Sequence, residues 1–152
     1  MIEKNLPELV MLKRLIDEGG RHLEVAAPCS IAIDGRDFPV YTIALGNPSP
    51  DVPVLGFFGG IHGLERIGTQ VILAFLQSIL ARLQWDSTLH QQLESMRLVF
   101  MPLINPGGMW QGTRSNPQGV DLMRNAPLSA SEPVPFLLGG HRYSHHLPWY
   151  RG

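Results

Sequence analysis

His62-Gly63-Leu64-Glu65 sets an imidazole and a carboxylate three residues apart. The four residues follow a nearly continuous apolar run, Val52 to Ile61, which reads as a strand buried on both faces and ended by Gly59-Gly60. They also open an amphipathic stretch. An imidazole at the carboxyl end of a strand and a carboxylate in the first helical turn can face one point outside the sheet, where open α/β sheets bind ligands. His and Glu suit Zn²⁺, whose catalytic sites take three protein ligands and leave one position for water. Spacing alone is thin support, because six His and seven Glu in 152 residues give about 0.3 such pairs by chance. A capping carboxylate beside a loop histidine is the competing reading.

The elements that must position this pair are legible in the hydropathy pattern. Pro7 to Glu18 places Leu9, Leu12, Leu15 and Ile16 at helical spacing, stopped by Gly19-Gly20. Residues 30–33 and 40–45 are strand-like runs on either side of Asp34-Gly35-Arg36-Asp37, a hairpin signal. From Arg66 to about Leu83, Ile67, Val71, Ile72, Phe75, Leu76, Ile79 and Leu80 predict a long helix with a wide buried stripe. Met96 to Ile104 is a second buried-strand candidate, closed by an Asn105-Pro106-Gly107-Gly108 turn. Strand, helix, strand is a parallel crossover unit, so the expected fold is α/β, a mixed sheet with a parallel βαβ core flanked by helices. Regular patterns stop after Asn125.

Two further segments bear on the chemistry, Gly112-Thr113-Arg114-Ser115-Asn116 and Gly119-Val120-Asp121-Leu122-Met123-Arg124-Asn125. The order and spacing of the His62–Gly68 segment, the Asn-Pro-Gly-Gly turn and the Gly-Val-Asp segment resemble the M14 family of zinc carboxypeptidases over about Val52 to Asn125. The resemblance implies that His62 and Glu65 are zinc ligands and that Asp121 holds the ligand histidine through its other nitrogen, fixing the tautomer. It implies that Arg114 stabilises the oxyanion that develops on the scissile carbonyl, for which a permanently charged, forked donor is suited. Arg124 would then bind the substrate's terminal carboxylate. The competing, less favoured readings are loop ion pairs for Arg114 and Arg124 and a turn cap for Asp121.

The chain departs from the family pattern in two places. Met123 stands where an Asn is usual, and a thioether cannot donate the amide hydrogen bond that helps to grip a carboxylate. The family's third zinc ligand, a His at a strand end, and its general-base Glu lie well downstream of the Gly-Val-Asp segment. Here His141, His145 and His146 fall in an irregular stretch and no Glu follows Glu132. A solvated loop or a partner-facing patch is the favoured reading of those histidines, and the expectation is a fold incomplete at its C-terminus.

Composition narrows the classes that remain. The 152 residues are one ordinary domain, 1–152, with 44% hydrophobic and 16% charged residues, which excludes a disordered or collagen-like chain. A net charge of −1 gives no footprint for nucleic acid or an anionic membrane. The polar N-terminus does not read as a signal peptide, and no apolar run approaches a membrane span. Cys29 is the single cysteine, read as a small core residue and compatible with a reducing cytoplasm. The leading expectation is a zinc-dependent carboxypeptidase-like hydrolase acting on peptides, weak or inactive in this form. One alternative is an aspartoacylase- or succinylglutamate desuccinylase-like amidohydrolase acting on an N-acyl amino acid. The other is a non-catalytic fragment whose uncovered sheet edge makes it a binding or homo-oligomeric module.

Overall fold

Asp34 and Gly35 take positive φ values of 50° and 70°, forming the two-residue turn that Asp-Gly favours between antiparallel strands. In the computed structural model, which describes residues 2–125, 127–128, 146 and 150–152, the turn joins β1 (Glu24–Ile33) to β2 (Arg36–Gly46), with Ile33 opposite Arg36. Both strands extend well beyond the apolar runs that predict them. The register shifts between Ala26 and Cys29, around Pro28, whose missing N–H is tolerated on an outer strand.

β2 also pairs antiparallel with β4 (Arg97–Met101), and β4 pairs parallel with β3 (Val54–Phe58), giving the order β1-β2-β4-β3. The parallel connection runs through α3 (Arg66–Arg82) and α4 (Ser87–Ser95), so the expected crossover and mixed α/β architecture are present. Upstream lie α1 (Ile2–Asn5), α2 (Pro7–Gly19) and a 3₁₀ turn over Gly20–His22; α5 (Pro106–Gln111) follows β4. Pro7 occupies the first turn of α2, where its missing N–H costs nothing. Leu9, Leu12 and Leu15 of α2 are buried with Leu73, Leu76 and Ile79 of α3 and with Phe38, Ile43, Leu45 and Phe100 of the sheet. No single helix among the described residues is long and apolar enough to cross a membrane.

Three sequence expectations change. The apolar run of β3 predicts burial on both faces, yet Val54, Leu55 and Phe58 are 55%, 49% and 57% exposed. The reason is topological, since among the described residues β3 is an outer strand that pairs with β4 alone. For the same reason the broad stripe of α3 divides: Thr69, Leu73, Leu76, Ile79 and Leu80 are buried, whereas Ile67, Val71 and Phe75 are exposed. Cys29 is exposed on β1 rather than in the core, because β1 is the opposite outer strand and residues 24–30 are all exposed.

The helix α4 has only Leu89 and Leu93 one turn apart as buried residues, too few for a periodicity signal. Its start is fixed electrostatically. Asp86 accepts from Leu89 N–H at 3.1 Å and from Arg82 Nε and Nη2 at 2.9 and 2.7 Å. The Arg82 hydrogen bond first, and the Leu89 amide second, hold the Asp86 carboxyl below its ordinary value of 3.8. A folded-state pKa below the unfolded one stabilises the fold fully above the unfolded value, and this contribution is lost as pH falls through the folded value. Asp86→Ala is therefore expected to lower the melting temperature at pH 7, with the gap from the parent narrowing below about pH 3.8. Thermal melts followed by circular dichroism at both pH values check this; an equal gap would show that the charge is immaterial.

Candidate active site

The strand β3 stops at Phe58, but hydrogen bonds to the β4 side continue. Gly59 N–H donates to Met101 O at 3.0 Å, Ile104 N–H to Gly59 O at 3.0 Å, and Asn105 N–H to Gly60 O at 2.8 Å. Gly60 has φ 66°, a conformation glycine adopts at little cost, and there the chain leaves the sheet toward His62. Asn105, 2% exposed, donates from Nδ2 to Ile61 O at 3.1 Å and accepts at Oδ1 from Gly108 N–H at 2.8 Å. One buried amide thus ties the His62 loop to the first turn of α5. The Asn-Pro-Gly-Gly segment, read as a turn, is the N-cap and first turn of a helix, with Asn capping and Pro in the first turn.

His62, Glu65, Arg114 and Asp121 come from three separate segments and form a closed circuit. Glu65 N–H donates to His62 O at 3.1 Å, which folds the motif into a turn. Glu65 is the residue immediately before α3 rather than inside its first turn. His62 Nδ1 lies 3.0 Å from Glu65 Oε1, and Nε2 lies 3.3 Å from Asp121 Oδ1. Arg114 donates from Nε to Asp121 Oδ2 at 2.9 Å and from Nη1 to Glu65 Oε1 at 3.2 Å. Asp121 has no solvent exposure and also accepts from Met123 N–H at 3.0 Å. Burial alone pushes its carboxyl upward, but the Arg114 hydrogen bond and charge, the Met123 amide and the nearby His62 together hold it below the ordinary value.

This arrangement suits a cation. A neutral imidazole carries one N–H, and His62 faces two carboxylates. In the tautomer whose N–H faces Asp121, the contact between Nδ1 and Glu65 joins two lone-pair donors, an arrangement that a bound cation satisfies. Two ligands of a tetrahedral zinc ion, each about 2.0–2.2 Å from it, sit about 3.4 Å apart, close to the separation here. The donor set therefore fits a metal as two ligands of a larger set. Among the described residues no group of three or more His, Cys, Asp or Glu is placed to hold a metal ion. His141 and His145 lie outside the described residues, and His146 is exposed in a turn.

Arg124 stands apart from the circuit. Its backbone N–H donates to Asp121 O at 2.9 Å, while its side-chain Nε is buried with no hydrogen-bond partner among the described residues. Met123 is 53% exposed and lines a cavity of about 330 Å³ together with His62, Glu65, Phe58 and Ile67. Sequence reasoning assigns no role to Arg66 or Glu8. Glu8, 4% exposed, accepts from Arg66 Nη1 at 2.7 Å and Gln70 Nε2 at 3.3 Å; Arg66 Nη2 donates to Asn5 O at 2.8 Å and Met109 O at 3.2 Å. The residue next to Glu65 thus fastens α3 to the N-terminal helices and to α5. A charged residue at position 8, on the apolar side of a helix, is the available signal.

Residues 30–146 match the family model of the zinc carboxypeptidases, Peptidase M14. Similar proteins include Carboxypeptidase SOL1 of Arabidopsis thaliana, 26% identical over 118 residues that are 76% of this chain and 24% of that protein. Carboxypeptidase E of Caenorhabditis elegans is 29% identical over 63% of this chain and 24% of its own length. Among solved structures, bovine thrombin-activatable fibrinolysis inhibitor in complex with tick carboxypeptidase inhibitor aligns with a TM-score of 0.63 at 19% identity, over 94% of this chain and 47% of the other. A metallo-carboxypeptidase from Burkholderia cenocepacia aligns with a TM-score of 0.60 at 18% identity, over 76% and 31%. The chain spans about a quarter of the length of these two relatives and less than half of these two solved chains.

Gly63 supports the site by being small. A Cβ there would overlap the Gly108 carbonyl and the Met109 backbone nitrogen, both held in α5. Because neither neighbour is a flexible side-chain end, Gly63→Ala is expected to destabilise the fold by roughly 1–3 kcal/mol, the usual cost of overpacking. Urea unfolding measures it; an unchanged midpoint would mean that the two loops do not pack as described.

Proposed function

The chain belongs to the zinc carboxypeptidase family, and from that premise we propose that it carries part of the active site of a hydrolase that removes C-terminal residues from peptides. The single observation that supports this reading best is the circuit of His62, Glu65, Arg114 and Asp121, in which each side chain has a partner suited to its role. His62 Nδ1 and Glu65 Oε1 would hold the zinc ion. When bound, zinc supplies Lewis acidity and lowers the pKa of water, which favours hydrolysis at neutral pH.

The chain's own residues then divide the remaining work. Asp121 orients the His62 ring by accepting at Nε2, which leaves Nδ1 free to act as a ligand. Arg114 brings a fixed positive charge beside the ligands, where it stabilises negative charge developing on a carbonyl oxygen. Arg124 is the proposed partner of the substrate carboxylate, supported by its buried Nε, which has no acceptor among the described residues. The apolar side chains of Phe58, Ile67 and Met123 line the cavity next to His62 and Glu65 and shape the space for substrate.

A second reading, hydrolysis of an N-acyl amino acid on the same fold, presents the same free α-carboxylate as a peptide C-terminus, and the Met123 thioether offers that group no donor in either case. Side-by-side assays of a short peptide and an N-acyl amino acid separate the two.

Two outcomes are expected. Elemental analysis of the purified, folded protein at neutral pH should find zinc bound, and His62→Ala should lose it; a folded sample that takes up no metal would sink the ligand assignment. Hydrolysis of C-terminal residues by the 152-residue chain should be weak or absent, because no Glu follows Glu132 as the general base that the family resemblance calls for. Robust turnover would overturn that expectation.

A further inference from the structure

Arg114 makes two contacts of different character. Its Nε is bonded at 2.9 Å to Asp121, which is wholly buried. Its Nη1 lies 3.2 Å from Oε1 of Glu65, whose side chain is 60% exposed. That oxygen is the one that also faces His62 Nδ1 at 3.0 Å. The oxygen best placed for a metal is therefore already in contact with a cation.

We infer that Arg114 is the resident counter-cation of the Glu65 and Asp121 carboxylates and competes with the metal ion for Glu65. Metal loading and release of the Arg114 head group are then a single event. The inference rests on the reading of His62 and Glu65 as metal ligands. The two carboxylates and the one guanidinium leave these three side chains one negative charge in excess, enough to attract a cation but partly neutralised in advance. A dication held by Oε1 would repel the guanidinium that is 3.2 Å from the same oxygen. The weaker contact yields. Exposed ion pairs contribute little, whereas a buried carboxylate stripped of its partner is costly. The guanidinium therefore keeps its bond to Asp121 and swings its Nη1 end away from Glu65, into the space beside the ligands. Arg114 is in this respect a positioning residue, coupling occupancy of the metal site to the availability of its own charge.

The test is zinc affinity of the full chain, measured at pH 7 by competition with a chromophoric chelator, with folding followed by circular dichroism. Arg114→Ala should bind zinc more tightly than the parent by roughly two- to fivefold, the range an exposed ion pair carries. Arg114→Lys should also tighten binding, though less, because one ammonium cannot bridge both carboxylates and stays with the buried Asp121; it carries the test if the alanine variant fails to fold. In a Glu65→Gln background, Arg114→Ala should give no tightening, and in the parent background the effect should shrink as ionic strength rises. A purely structural role would weaken binding in both single variants. Zinc binding that depends on His62 but is unchanged or weakened in both single variants overturns the inference alone. No zinc binding by the folded parent overturns it together with the ligand assignment.

Discussion

A carboxylate with no access to water has to be met by donors that the fold brings to it, and Asp121 is such a group. Its neighbours in sequence supply one, the Met123 amide, and the other two come from Arg114 and His62. Satisfying this buried charge joins three segments of the chain: the end of β3, the stretch after α5, and the Gly-Val-Asp turn. Asp121 is fastened further by its own amide, which donates to Tyr150 O at 2.7 Å. Orientation of the His62 ring is thus a consequence of burying Asp121.

The scaffold beneath this contact is built from close backbone approaches rather than from many side chains. Asn105 spans from Ile61 to Gly108, and Gly63 lies against the Gly108 backbone because Gly63 carries no Cβ to hold the loops apart. On the other side, Arg66 and the buried Glu8 anchor the start of α3 directly after Glu65. His62 and Glu65 sit between two clamps. One is a neutral amide network and the other an ion pair, and each spans elements that the sheet alone would not keep in register.

The sheet is one-sided in its support. β2 and β4 lie inside it and contribute Phe38, Ile43, Leu45, Leu98 and Phe100 to the core, while β3, which delivers the histidine, has only β4 beside it among the described residues. Val54, Leu55 and Phe58 are exposed there, as are Ile67, Val71 and Phe75 of α3, and of these Phe58 and Ile67 line the cavity at His62 and Glu65.

The sequence by itself determined the elements with strong periodicity: the α2 and α3 helices, the Asp-Gly hairpin and the order of strand, helix and strand. It also singled out His62, Glu65, Arg114 and Asp121, which the fold gathers into one circuit. Local pattern carries this information because helix and strand periods are set by backbone geometry within a few residues. What only the tertiary structure decided was exposure and partnership. Whether an apolar strand is central or outermost depends on which strands pair, so the apolar run of β3 reads as doubly buried although one side of the strand is open. Whether Asn-Pro-Gly-Gly turns or caps a helix depends on what its side chain reaches. The sharing of Glu65 between His62 and Arg114 has no signature in spacing, because it is set by where two loops 49 residues apart come to rest.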